Sequence, residues 1–373
     1  MNASLAKLQQ IPASIASVAD YESLARDRVS EQAWAYVAGG AADEWTLHEN
    51  CAAFQRLSLR AGVLRDLSGG NTRLTLFGQT FASPIFLAPI AYQKLVHPDG
   101  ELATALASAA AQTCMIVSTL ASASLEEIAQ RAAAPLWFQL YVQPDREFTR
   151  DLVQRAEAAG YRALVVTVDA PVNGIRNREQ RAGFSLPAGV EAINLRGMPV
   201  PAQHAGRAGE GILLGGPLLA SAPTWKDIAW LRSMTSLPIL IKGIMTAEDA
   251  QRAVAETIDG IVVSNHGGRT LDTQPSTIDV LPEIVDVVAG QVPVLLDSGI
   301  RRGGDIFKAL ASGAAAVLVG RPYIHGLAAA GAVGVAHVLQ ILRAELEVTM
   351  ALTGCRDLAA IDSSCIRPRL RRS

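Results

Sequence analysis

The sequence predicts an α/β fold, a (β/α)8 or TIM barrel with an N-terminal helical segment and a long loop after its fourth strand. Short apolar, β-rich runs recur along the chain, with amphipathic helical stretches between them. None of these runs alternates apolar with polar residues, which marks strands covered on both faces, as in a parallel sheet wrapped by helices. Polar, ionisable or glycine residues then follow run after run, as the C-terminal mouth of such a barrel requires.

Residues 1 to about 80 read as an extension with helices near 19–28 and 30–39, then a short β-rich stretch around Thr72 to Thr80. The barrel spans about 84–330. Its first four strands are Pro84-Ile-Phe-Leu-Ala-Pro89, Met115-Ile-Val-Ser118, Leu136-Trp-Phe-Gln-Leu-Tyr141 and Ala163-Leu-Val-Val-Thr-Val-Asp169. The other four are Pro238-Ile-Leu-Ile-Lys242, Gly260-Ile-Val-Val-Ser264, Val292-Pro-Val-Leu-Leu-Asp297 and Ala315-Ala-Val-Leu-Val-Gly320. Helix starts are signalled at Asp99-Gly-Glu101, Thr246-Ala-Glu-Asp249 and Gly303-Gly-Asp305. Residues 187–223 form a Gly/Pro-rich excursion between strands four and five, and irregular loops of that length are usually functional or mobile. A helical segment, 325–373, closes the chain. An open doubly wound sheet is the alternative on pattern alone. It calls for a glycine-rich dinucleotide loop after the first strand, and Pro89-Ile-Ala-Tyr92 is not one. The 373 residues exceed the usual domain size but suit a single barrel domain.

Composition narrows the function. Half the residues are apolar and only 18% are charged, so a large core is easily filled. A net charge of −2 with both signs interspersed argues against a nucleic-acid partner, and the basic tail Arg367 to Arg372 reads as a solvated terminus. Four cysteines, Cys51, Cys114, Cys355 and Cys365, lack CxxC or zinc spacing, which fits a reducing compartment and implies no metal. Cys114, in an apolar run, reads as a small buried residue. No charged start followed by an apolar stretch marks a signal peptide, and no run reaches the roughly 18 apolar residues of a membrane span. Ala105–Leu120 and Leu327–Leu342 are interrupted by polar residues, and Gly211–Ala220 is too short and glycine-rich for an anchor. The expectation is a cytoplasmic protein without a membrane partner.

The strand ends carry the chemistry. Gln139 and Tyr141 end the third strand, Thr167 and Asp169 the fourth, Lys242 the fifth, and Ser264-Asn-His-Gly-Gly-Arg269 the sixth. Asp297-Ser-Gly-Ile-Arg301 and Gly320-Arg321 end the last two, where barrels commonly bind phosphate. There Gly299 and Gly303-Gly304 allow close backbone approach, the helix from Asp305 offers N–H groups, and Arg301 and Arg321 supply charge. No GxxxxGK[ST] pattern points to a nucleoside triphosphate. His266 is the candidate general base, since imidazole titrates near neutrality, and Asp169 is placed to orient it. His48, His97, His204, His325 and His337 lack such a setting. Arg176 and Arg269 are candidate carboxylate clamps, although the run Arg176 to Arg181 also reads as a solvated loop. Lys242 ends an apolar strand, where an unpaired ammonium is costly, so it should face an anion such as a cofactor.

These segments resemble the FMN-dependent L-2-hydroxy acid oxidase and dehydrogenase family, which includes glycolate oxidase, lactate oxidase and mandelate dehydrogenase. Ser264-Asn-His-Gly-Gly-Arg-Thr-Leu-Asp272 is similar to its active-site signature. The similarity runs from Asp20-Tyr-Glu22, Gly39-Gly40 and Trp45-Thr46 through Phe138-Gln-Leu-Tyr-Val142, Thr167-Val-Asp169 and Leu237-Pro-Ile-Leu-Ile-Lys-Gly243. It continues through Asp297-Ser-Gly-Ile-Arg-Arg302 and Gly320-Arg-Pro322 to Leu352-Thr-Gly-Cys355. The resemblance implies FMN held by Pro89, Ile90, Ala91, Ser118, Gln139, Thr167, Lys242 and Ser264, with Asp297 at the ribityl chain and Gly299, Arg301, Gly320 and Arg321 at the phosphate. It implies a substrate carboxylate between Arg176 and Arg269, and hydrogen bonds to the acid from Tyr21 and Tyr141. It further implies His266 as base, Lys242 as an electrostatic support for the flavin, and a homotetramer or higher assembly.

Departures bear on specificity. Leu120 stands where glycolate oxidase has a tryptophan, which changes the pocket wall. Ala91 occupies a place that is glycine in some relatives and leans towards an oxidase, so oxygen is the expected acceptor, with another acceptor as the alternative. Residues 187–223 lack the anchoring insert of membrane-bound relatives. Another FMN barrel enzyme, such as an isomerase, is the more distant reading, opposed by the arginine pair with His266. A flavin-binding module without catalysis is opposed by the intact His266 and Asp169.

Overall fold

The computed structural model describes residues 5–198, 214 and 217–368. The middle of the excursion, with His204 and part of Gly211–Ala220, lies outside the described residues, as does the tail beyond Pro368. Three short helices come first: α1 (Asp20–Arg26), α2 (Glu31–Ala38) and α3 (Trp45–Ala52). Ser30 starts α2, its hydroxyl accepting from the Ala33 N–H at 3.1 Å. β1 (Leu57–Leu59) pairs antiparallel with the last strand, Ile366–Pro368, joining the segment after α3 to the end of the described chain. A hairpin of β2 (Leu74–Leu76) and β3 (Gln79–Phe81) follows.

The barrel then alternates β4 (Ile85–Leu87), α4 (Gly100–Ala110), β5 (Met115–Ser118), α5 (Leu125–Arg131), β6 (Leu136–Leu140), α6 (Arg146–Ala158) and β7 (Leu164–Thr167). After α7 (Asn177–Arg181), α8 (Pro217–Ala220) and α9 (Trp225–Met234) come β8 (Ile239–Ile244), α10 (Ala247–Ala255) and β9 (Gly260–Val263). α11 (Thr277–Val288), β10 (Val294–Asp297), α12 (Gly303–Ala311), β11 (Ala316–Val319), α13 (Arg321–Thr353) and β12 (Ile366–Pro368) complete it. The eight strands β4 to β11 close in the order β10-β11-β4-β5-β6-β7-β8-β9, each pairing parallel, as the sequence predicts.

The packing explains the missing alternation. Ile85, Leu87, Met115, Val117, Phe138, Leu164, Val166, Ile241 and Val263 belong to the large core that also holds the helix faces. Their neighbours Phe86, Ile116, Trp137, Val165, Leu240, Val262, Leu295 and Leu318 form a second cluster that fills the barrel. Both faces of every strand are dry, so both carry apolar residues. The β2–β3 hairpin plugs the bottom: Phe81 meets Phe86 with ring centroids 4.7 Å apart, and Phe77 meets Trp137 at 5.7 Å. The Trp137 indole N–H donates to Gln79 Oε1 at 3.2 Å, which satisfies its polar edge.

The α13 run is long and apolar enough to cross a membrane by length and composition alone. The chain nonetheless breaks at Ala330 and Gly331, where Gly331 takes φ 59° against the His97 ring. Tyr323, Leu327, Val335, Val338, Leu342 and Leu346 are buried in the core, so this apolarity packs against the molecule itself.

Trp137 anchors the barrel floor, and its loss leaves a cavity that the surrounding strands cannot close. Trp137→Ala is expected to destabilise the fold by about 3–5 kcal/mol, measured as a lowered denaturant midpoint.

Candidate active site

Hydrophobic strands that end in polar residues leave those residues only one place to go, the rim where the barrel interior meets solvent. A cavity of about 780 Å³ opens there, lined by residues from every strand end together with Tyr36 and Val37 of α2 and Phe184 to Leu186. Its charge is unevenly distributed. The ends of β4, β5 and β6 contribute Ala88 to Tyr92, Ser118, Leu120, Gln139 and Tyr141, none of them charged. The charged side chains in the lining, together with the His266 imidazole, all come from the other arc: Arg176 and Glu179 after β7, Lys242, His266 and Arg269, Asp297 and Arg301, and Arg321.

His266 sits in a tight turn after β9, with left-handed backbone at His266 (φ 58°), Gly267 (φ 65°) and Gly268 (φ 70°). Glycine is required at Gly268, because a Cβ there would lie 2.6 Å from the Leu47 backbone nitrogen of α3. The turn brings His266 Nδ1 to 2.8 Å from Asp169 Oδ1, across from the end of β7. Lys242 Nζ lies beside the same group, donating to Ser264 Oγ at 2.9 Å and pairing with Asp297 Oδ2 at 3.1 Å. A register shift between Lys242 and Ile244 marks the irregular stretch that holds this lysine. Burial lowers the His266 pKa from its ordinary 6.5, with Lys242 acting the same way and Asp169 opposing them. Burial would raise the Asp169 carboxyl, but the neighbouring His266 and Lys242 outweigh it and hold it low. Lys242 is raised: burial penalises its charge, and Asp297 and Asp169 more than offset that.

Two arginines face this group. Arg269 stacks over the Tyr36 ring at 5.0 Å and donates to the carbonyls of Tyr36 (2.6 Å) and Gly39 (2.9 Å). Glu179 Oε1 accepts from Arg176 Nη1 at 2.9 Å and from Arg269 Nη2 at 3.3 Å, tying the two guanidinium groups together. Burial and the nearby Arg269 lower the Arg176 pKa to about 10, and its buried Nε has no partner among the described residues. Such a pair suits a carboxylate ligand.

The structure corrects the phosphate reading in part. Gly299, Arg301, Gly320 and Arg321 line the cavity, but Gly303, Gly304 and Asp305 do not. The start of α12 is already in use: the Gly303 N–H donates to Glu345 Oε2 at 2.8 Å, and Asp305 Oδ2 accepts from the Arg301 and Arg302 N–H groups. A Cβ at Gly303 would lie 2.1 Å from Leu346 N, so this glycine serves helix packing. The helix end that reaches the cavity belongs to α13, through Gly320 and Arg321. Arg321 is buried, its pKa is pushed well down by burial and by Arg269 and Arg301, and its Nε lacks a partner among the described residues.

One further expectation fails. Tyr21 does not reach the cavity: it is fully buried on α1, with its hydroxyl 2.8 Å from His337 Nδ1. Tyr36 stands in the cavity instead, because the turn at Gly39-Gly40 folds the end of α2 over the mouth. Its nearness to the Gly39-Gly40 motif was the available signal. Ser264 is fully buried behind Lys242, where its Oγ accepts from Lys242 and from the His266 N–H (3.1 Å). Pro89, Ile90, Ala91, Ser118, Leu120, Gln139, Tyr141, Thr167, Lys242 and Asp297 all line the cavity, and Asp169 stands behind His266. Ser298 went unnoticed in the sequence. At φ 78° its hydroxyl donates to Asp297 Oδ1 at 2.7 Å and accepts from the Gly267 N–H at 3.0 Å, joining the β9 and β10 turns.

The model of the FMN-dependent dehydrogenase family matches residues 25–368. The chain belongs to that family. It is 49% identical over 352 residues to an L-lactate oxidase of Nostoc sp., covering 92% of this chain and 96% of that protein. It is 46% identical to glycolate oxidase 1 of Zea mays, covering 93% and 94% of the two chains. A crystal structure of mandelate oxidase with (S)-2-phenylpropionate superposes with a TM-score of 0.86 at 42% identity, covering 96% of this chain and 99% of that one.

FMN is the cofactor of this family, and the residues present fit it. Gln139 is buried at the cavity wall with an Nε2 that has no partner among the described residues, as a flavin-facing amide would be. Arg301 and Arg321 converge where a dianion would relieve their mutual repulsion. Among the described residues the guanidinium of Arg301 bonds only its neighbour's carbonyl, Ile300 O, at 2.9 Å. Arg301→Met is therefore expected to weaken FMN binding by about 10–100-fold, the worth of one charge-assisted hydrogen bond, measured by fluorescence titration of apoprotein with FMN.

Proposed function

We propose that this chain oxidises a small L-2-hydroxy acid to the 2-oxo acid, using FMN and passing the electrons to oxygen. One observation carries the reading: His266, bonded to Asp169, opens onto the same cavity as Lys242 and the Arg176–Arg269 pair. The arginines bind the substrate carboxylate, and Tyr36 and Tyr141 line the same space. With its Nδ1 proton held by Asp169, His266 presents Nε2 as the base that removes a substrate proton. Asp169 then balances the charge of the imidazolium. FMN, when bound, accepts the two electrons. Lys242, kept cationic by Asp297, places a fixed positive charge at the cavity floor. The oxidase names of the relatives support oxygen as acceptor.

Anaerobic mixing with L-lactate, glycolate and L-mandelate tests the reading. Bleaching of the flavin by at least one acid and recolouring in air are expected; no bleaching by any of them would sink it. His266→Gln should retain FMN yet reduce it about 10²–10⁴-fold more slowly, in line with loss of a general base.

The base works only as neutral imidazole. Because burial lowers its pKa, the acid-side fall in kcat/KM is expected below pH 6.5. Asp169→Asn removes the group that raises that pKa, so the acid limb should move to still lower pH while the rate drops. A pH–rate profile that shifts the other way would contradict this assignment.

A further inference from the structure

Tyr92 lies in the uncharged arc of the cavity, just after β4. Its backbone is left-handed (φ 54°, ψ 48°), a conformation that costs a bulky side chain free energy and persists only where its surroundings enforce it. The enforcement is visible. The Tyr92 N–H donates to Leu120 O at 3.1 Å, and the next N–H, of Gln93, donates to the buried Glu101 Oε1 at 3.0 Å. Glu101 also accepts from the Ser122 N–H (2.9 Å) and hydroxyl (2.7 Å), so one buried carboxylate clasps the loops after β4 and β5. This arrangement aims the Tyr92 ring at the cavity, 6.1 Å from the Tyr36 ring.

In the closed barrel β5 stands across from β9, and β4 across from β8. A hydroxy acid clamped by Arg176 and Arg269, with C2 at His266, therefore turns its remaining substituent towards Leu120 and Tyr92. The Tyr92 hydroxyl has no hydrogen-bond partner among the described residues, while burial pushes its pKa up to about 12 and keeps it a neutral phenol. Resting on the hydroxy-acid reading above, we propose that Tyr92 is a specificity-determining residue whose phenol hydrogen-bonds an uncharged polar group at the tip of the substrate side chain. Leu120 and the Tyr36 ring accommodate the apolar body of that side chain. A charged tip finds no counter-ion on this arc and is disfavoured.

The test uses purified holoenzyme and a matched pair, L-3-phenyllactate and L-3-(4-hydroxyphenyl)lactate, which differ by one hydroxyl, with L-malate as the charged comparison. Wild-type kcat/KM is expected to favour the hydroxylated acid about tenfold, with L-malate the poorest of the three, and Tyr92→Phe should bring the pair to within about twofold. Retained flavin absorbance confirms that the variant is folded. A wild-type ratio near one overturns the proposal without any variant, and so does a preference that survives in Tyr92→Phe. If no 2-hydroxy acid bleaches the wild-type flavin, the underlying reading fails and takes this proposal with it. That outcome is distinct from an active enzyme that ignores the extra hydroxyl.

Discussion

Everything at the barrel mouth is organised around one buried cation. Lys242 is 4% exposed, and taking an ammonium out of water costs several kcal/mol unless anions meet it. Asp297 meets it from β10, and the field of Asp169 reaches it from β7. Asp169 is in turn the partner of His266, so the ion that must be compensated also fixes the orientation of this imidazole. Ser298 then links Asp297 to the turn that carries His266, and a single network spans four neighbouring strand ends.

That network divides the cavity. All of its ionised side chains lie on the arc from β7 to β11, where they suit a carboxylate and a phosphate. The arc from β4 to β6 offers backbone, amide, hydroxyl and apolar groups only. The chemistry of oxidation, common to the family, rests on the charged arc. The identity of the acid is read by the neutral arc, where Leu120 and Tyr92 stand.

The relation between the two arcs follows from the barrel's closure. Opposite strands are far apart in sequence but face each other across a space the width of a small molecule. The loops of the neutral arc are held by buried hydrogen bonds, from Gln93 and Ser122 to the Glu101 carboxylate and from the Tyr323 hydroxyl to Ala88 O. Rigid support of this kind lets a strained residue such as Tyr92 keep its conformation.

The strands, their parallel order and the mouth residues were legible in the sequence, because doubly buried strands must be apolar throughout and their polar ends must surface. The places of His266, the arginine pair and Lys242 at the rim followed from the same rule. Tyr21 was misread because a tyrosine on an amphipathic helix carries no sign of which neighbour its hydroxyl will meet. Only the packed helix decides that it meets His337. Gly303-Gly304 looked like a phosphate loop, yet the approach of α13 explains Gly303. The sequence by itself determined the barrel and the chemical groups at its rim, since both depend on local pattern. Tertiary structure alone decided that Tyr36 and Tyr92 line the cavity and that Tyr21 does not. Those choices depend on side-chain directions set by contacts between segments remote in the chain.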